Sequence, residues 1–259
     1  MCRKLSVPTF IIQFSNQLAS TTRDTFSAAL RDLTMIMTHL AYVRQKIDGG
    51  ELIGSLIILG HLETIQRDLE EWAGNISPSC SYDTISTWQP FSVTSNFSLT
   101  PFKPYSHKYS QIWTANMWNE YRTTNFQIYD MVLTHLRPQA MRVDDPPSAA
   151  AARTHCLHAR KEMAKISEDI CCSVPYILGL LSVDTSQPTV KSSFGGFVLL
   201  WPLTVAALGH QFPSPTSEFT FKCFNFISRC MGIQQGIAFR EYVLSSSGKY
   251  DWVDAFGPC

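Results

Sequence analysis

Apolar residues return along this chain every three or four positions and hardly ever every second one, and that regularity confines it to packed helices. Phe26, Leu30, Leu33, Met37, Leu40 and Ala41 share one face at about 3.6 residues per turn, with Asp24, Arg31 and Asp32 turned away. The pattern predicts an amphipathic helix from about Thr22 to Ile47. Gly49 and Gly50 end it. Ile58, Leu62, Ile65, Leu69 and Trp72, alternately four and three apart, predict a second helix over about Glu51 to Trp72. A break this short between two helices predicts an antiparallel hairpin.

From Gly74 to His107 the chain is rich in Ser, Thr and Pro, with scattered aromatics such as Trp88, Phe91 and Phe97, which predicts a long loop packed through those rings. A helix apolar on nearly every side is expected from about Tyr109 to Leu136, followed by punctuation at Pro138 and in DDPPS (144–148). Ser148 is placed to cap the next helix. Cys156, Ala159, Met163, Ile166 and Ile170 form its stripe. In EDICCSVPYILG (168–179), Pro175 lacks a backbone donor and biases Val174 toward an extended shape. The helix is therefore expected to stop near Cys172, with VPYIL a buried connector closed by Gly179. After a polar loop (182–193) come helices over about 196–209, 217–231 and 233–245, with no strand alternation of useful length.

The fold class so read is all-α: a single helical domain of roughly seven to nine helices with one long aromatic-containing loop. It spans 22–245, between an N-terminal segment (1–21) and a C-terminal tail (246–259). With 259 residues, 45% of them hydrophobic and 16% charged, the chain holds enough apolar material for one sizeable core. Its 21 basic residues equal its 21 acidic ones. The basic footprint of a stand-alone nucleic-acid binder is therefore missing. FGGFVLLWPLTVAALG (194–209) is shorter than the ~20 residues of a membrane helix and contains a Gly pair and a Pro, so it reads as buried core and no membrane partner is expected. Pro8 and Gln13 interrupt the short apolar start, which is not read as a secretory signal.

A chain this apolar does not need its eight cysteines (2, 80, 156, 171, 172, 223, 230, 259) as staples. Cys156, Cys171, Cys223 and Cys230 fall in predicted helices, where free thiols behave as small hydrophobes. A reducing compartment is the expectation, and the sequons at Asn75 and Asn96 are then accidental.

Little in the chain points to catalysis. His155, His158 and Glu162 share one side of a helix, but they flank an apolar stripe as solvated polar residues commonly do, and no metal is expected there. Cys223 and Cys230 lack a CxxC companion. GGFVLLWP lacks the Lys and Ser/Thr of a phosphate loop, and no GxSxG elbow occurs. The paired carboxylates at 70–71 and 168–169 read as solvated helix charges. No catalytic residue, cofactor or metal is assigned.

Four spaced segments are more specific: MWNEYRTTNFQIYDMVL (117–133), ISEDICCSVPYILG (166–179), GGFVLLWPLTVAALG (195–209) and MGIQQGIAF (231–239). In that order they resemble the C-terminal regulatory region of fungal binuclear zinc-cluster transcription factors. That region has a W-N-x-Y-R helix, an I-C-A-S-V-P-Y-like helix end, an L-L-W-P-L helix and a final G-I-x-Q element. The matching positions include Trp118, Asn119, Tyr121 and Arg122; Ile170, Cys171, Ser173, Val174, Pro175 and Tyr176; Leu199, Leu200, Trp201, Pro202 and Leu203; and Gly232, Ile233 and Gln235. WQPF (88–91) adds a weaker likeness. The family's six-cysteine DNA-binding cluster is missing, since Cys2 is the only cysteine before Cys80.

The resemblance implies a nuclear transcription-regulation module that binds a protein partner or small effector, often controlling a metabolic or secondary-metabolite pathway. It leaves homo- and hetero-dimerisation open, and implies neither enzyme activity nor direct nucleic-acid binding. A degenerate or truncated regulator, a separately encoded partner of a complete factor, and a gene lacking its first exon all fit. The alternative is a small-molecule-binding protein or enzyme of a biosynthetic pathway, with a site near His155 and His158. Among the motif residues Trp118, Asn119, Tyr121, Arg122, Asp169, Pro175, Tyr176, Trp201 and Pro202, Arg122 lies on a helix apolar almost all round. Its buried cation must be paired. Asp169 or carbonyls freed at the helix end before VPY are the expected partners.

Overall fold

Asp24 opens the first helix by accepting a hydrogen bond from Phe26 N on its side chain, and α1 runs over Thr25–Asp48. The computed structural model describes residues 24–87, 90–94, 97–181, 193–246 and 248–256. The 1–21 segment, Cys2, Trp88, Asn96, Cys259 and nearly all of the 182–193 loop lie outside them. Among the described residues there are eight α-helices and four short strands, so the architecture is predominantly all-α. Contacts divide the chain into two units, the first Met1–Ser81 with Gln127–Ala152 and the second Tyr82–Phe126 with Arg153–Cys259.

In the first unit α1 is followed by α2 (Ser55–Gly74), which starts after Gly54, a residue at φ 99° that glycine alone adopts easily. The start is four residues later than Glu51, where periodicity put it. Leu33, Leu40 and Val43 of α1 are buried, as are Ile58, Leu62, Ile65, Leu69 and Trp72 of α2. Trp72 Nε1, near the end of α2, donates to Ala29 O near the start of α1 at 2.8 Å, as an antiparallel hairpin requires. Ser55 Oγ donates to His135 O, and Gln66 Nε2 to Tyr129 OH, joining α2 to the second half of α3 (Ile112–Ala140). Pro138 lies inside α3 and does not end it; the helix stops at Ala140. Its successor α4 (Pro146–Ile177) is capped by Asp145, not Ser148: Asp145 Oδ1 accepts from Ser148 N, and Asp145 O from Ala149 N. Pro146 then occupies the first helical position, where a missing N–H costs nothing.

The second unit begins where a loop was expected. After a 3₁₀ turn (Pro78–Cys80) come β1 (Tyr82–Ser86), β2 (Phe91–Thr94), β3 (Phe97–Leu99) and β4 (Tyr105–Tyr109). β1 pairs antiparallel with β4 (Tyr82 opposite Tyr109, Thr84 opposite His107), and β2 pairs with β3. Strands of three to five residues are too short for the alternation in FSVT and FSL to stand out in the sequence, and pairing satisfies their backbone.

The reading of EDICCSVPYILG as a helix end at Cys172 is overturned. α4 continues through Pro175 to Ile177 and ends in a Schellman motif, with Gly179 at φ 73°, Gly179 N bonded to Tyr176 O and Leu180 N to Pro175 O. Cys171, Cys172, Ser173 and Val174 are no more than 1% exposed, so packing all round holds the helix despite the lost donor. α5 (Ser193–Leu208) likewise contains Pro202. α6 (Pro215–Arg229) starts with a capping box between Ser214 and Ser217 and buries Phe219, Cys223, Phe224, Phe226 and Ile227. Cys230 caps its end and is exposed, outside the helix that was to contain it. α7 (Gln235–Ser245) packs on α5 and α6, and order continues past it into α8 (Asp251–Asp254), whose Val253 is fully buried.

Candidate functional site

Arg122 is 2% exposed at the centre of the second unit. Its Nη1 donates to Tyr109 OH at 2.8 Å and to Asn119 Oδ1 at 3.0 Å, while Nη2 meets His107 Nδ1 at 3.1 Å. Asn119 Nδ2 in turn donates to Ser173 Oγ at 3.1 Å, and Ser173 Oγ donates to Ile170 O. The guanidinium carbon lies 5.0 Å from the Tyr82 ring centre and 6.0 Å from that of Trp118. A guanidinium cannot accept, so His107 Nδ1 must be the acceptor, and the imidazole proton belongs on Nε2. That nitrogen faces Asp169 Oδ1 at 3.9 Å.

The expected join of Arg122 to Asp169 or to helix-end carbonyls is thus corrected. The bonds to Arg122 come from neutral groups, and the Asp169 carboxylate, about half exposed, is reached only through the His107 ring. The helix end supplies no freed carbonyl because the helix does not end there. Trp118 packs edge-on against Tyr82 and Tyr121, and Tyr176 lies 5.3 Å from the Tyr109 ring. Pro175 is buried within α4, Pro202 is buried within α5 and Trp201 is 43% exposed. No hydrogen bond or ring contact described here brings Trp201 or Pro202 to Arg122. Periodicity missed Tyr82, His107 and Tyr109, which come from β1 and β4. The signal that could have found them is the spacing of Tyr105, His107 and Tyr109, all on one side of a strand.

Electrostatics keep this cluster in one charge state. Burial, with Arg122 beside it, drops the His107 pKa to about 3. Burial pushes the Tyr109 phenol up to about 12, against the pull of Arg122. Burial would also lower the Arg122 pKa, but Tyr109, Tyr82 and Asp169 raise it overall, so the cation stays charged. The Asp169 carboxyl is raised by burial in spite of Arg122. In EDICC, burial raises Cys172 to about 12 and Cys171 well above the usual thiol range. Neither thiol is poised as a nucleophile. His155 and His158 are exposed, and among the described residues no group of three His, Cys, Asp or Glu is placed to hold a metal ion.

Compared with protein-family models, curated proteins and solved structures, the chain matches none.

The cluster can hold and orient. The groove beside α1 and α2 and the small cavity beside Arg160 are both lined by other side chains. One solution property follows from His107. Folded, it takes a proton only near pH 3; unfolded, it does so near its ordinary 6.5. Between those values the unfolded chain binds more protons, so stability is expected to be lost as pH is lowered, by up to about 1.4 kcal/mol per unit. His135 and His210 are also lowered by burial and act in the same direction, while the raised Asp169 opposes them. Urea midpoints measured from pH 7 to pH 4 should therefore decline less steeply in His107→Asn than in the parent chain.

Proposed function

We propose that this chain is a transcription-regulation module that binds a protein partner or small effector in the nucleus, neither reads DNA itself nor catalyses a reaction, and serves a metabolic or secondary-metabolite pathway. The observation that carries this reading is the ordered set of four segments around Trp118–Arg122, Ile170–Tyr176, Leu199–Leu203 and Gly232–Gln235. It is supported by what three of those residues do. Asn119, Arg122 and Ser173 bond one another or their neighbours inside a core, the task of a scaffold. A small-molecule enzyme is the second reading, and the convergence of His107 and Tyr109 on Arg122 favours it. Against it stand the burial of that cluster and the protonated thiols of Cys171 and Cys172. No helix among the described residues is long and apolar enough to cross a membrane.

The test is to tether the full chain to a heterologous DNA-binding domain at a reporter promoter in a fungal nucleus. A change in reporter output of several-fold in either direction is expected, and output equal to that of the tether alone would overturn the reading. With equal numbers of acidic and basic residues, the purified chain alone is expected to bind duplex DNA weakly or not at all at physiological salt. A submicromolar, sequence-selective complex in an anisotropy titration would contradict that.

A further inference from the structure

α1 and α2 of the first unit leave between them an open groove of about 590 Å³. It extends along α1 from Thr25 to Ile36, about 16 Å at the helical rise, or three turns. Its apolar lining includes Ile36 and Trp72, with Met35 39% exposed beside them. Three carboxylates, Asp32, Asp68 and Glu71, also line it, and among the described residues no Lys, Arg or His does. Arg31 answers Asp32 at 2.8 Å from outside the lining.

The placement of Glu71 works against the helix that carries it. It lies in the last turn of α2, where the aligned peptide dipoles already present negative charge and no basic residue answers them, and Asp68 sits about one turn before it. Like-signed charge there costs helix stability, and a local rule broken without a gain in folding marks a surface kept for something else. A cation placed in the groove would answer both the carboxylates and the dipole.

We infer that this groove docks a helix of a partner protein, about three turns long, with an apolar face flanked by Lys or Arg. Apolar side chains at intervals of three and four would meet Met35 and Ile36, and the flanking cations would meet Asp68 and Glu71. Two copies of the chain laid groove on groove would bring like charges together, so self-association through this face is disfavoured. The inference goes beyond the transcriptional reading and does not rest on it: a silent reporter leaves peptide binding untouched, and the converse holds.

The test uses the full chain and two fluorescein-labelled amphipathic peptides of about 16 residues, alike in their Leu and Trp face but flanked by Lys in one and Glu in the other. Anisotropy should show the Lys peptide saturating at tens of micromolar or tighter and the Glu peptide at least about tenfold weaker. Asp68→Asn/Glu71→Gln should weaken the Lys peptide, and Asp68→Lys/Glu71→Lys should weaken it about tenfold or more, with helical circular dichroism unchanged in both. Equal binding of the two peptides, binding by neither, or affinity unmoved in both variants would overturn the proposal. So would tighter binding in a full-length Arg3→Ala/Lys4→Ala/Arg23→Ala chain, because the groove's occupant would then be the chain's own basic residues.

Discussion

Arg122→Ala is expected to lower the unfolding free energy by ~3 kcal/mol or more. The substitution removes the donor to Tyr109 OH, Asn119 Oδ1 and His107 Nδ1 at once, in a site that is 2% exposed. It also leaves a void between the rings of Tyr82 and Trp118. Arg122→Lys should recover only part of the loss, since an ammonium lacks the planar fork that reaches three acceptors in different directions. Cys171→Ala and Cys172→Ala delete one sulfur each from a packed interior and should cost about 1 kcal/mol, well below the arginine. Urea denaturation followed by fluorescence checks the ranking. An Arg122→Ala chain that unfolds at the parent's midpoint would show that the cluster contributes nothing to the fold.

Arg160→Ala is expected to cost ~3–5 kcal/mol, because it strands a buried carboxylate. Arg160 Nε and Nη2 donate to the two oxygens of Asp254 at 3.0 and 3.2 Å, and Nη1 donates to Gly209 O at 2.8 Å. The two side chains are 3% and 13% exposed, and the guanidinium carbon sits 4.7 Å from the Tyr250 ring centre. One side chain thus holds the end of α5 and the short α8 against α4. Losing it should loosen the segment after Ser245, with faster tryptic cleavage at the exposed Lys249 as the local readout. A double-mutant cycle with Asp254→Ala should return a coupling of at least about 1 kcal/mol. A parent-like melting curve together with an unchanged tryptic pattern would refute the fork's role.

The parts of the molecule that could be read from the sequence and those that could not separate along contact range. Leu33, Leu40, Ile58, Leu62, Ile65 and Leu69 were legible as core because helical periodicity is a property of neighbours three and four apart. Arg122 was legible as buried because its own helix is apolar all round, but its partners were not. Tyr109 and His107 lie 13 and 15 residues away in a strand of five residues, too short for the alternation of Tyr105, His107 and Tyr109 to stand out. The groove was equally illegible, since Asp32 read as turned away from the apolar face and Glu71 as a solvated charge until two helices set them on one rim.

By itself, then, the sequence determined most of the helices, the α1–α2 hairpin and the need to pair Arg122, because each depends on local spacing, a glycine stop or the cost of burying a charge. Only the tertiary structure decided that α4 runs through Pro175, where burial on every side outweighs one missing hydrogen bond, and that Gly179 rather than the proline ends it. It alone paired Tyr82 with Tyr109 and, across 94 residues, Arg160 with Asp254. Such pairings depend on which surfaces meet once the chain is packed, and that information is spread over the whole fold and present in no local stretch.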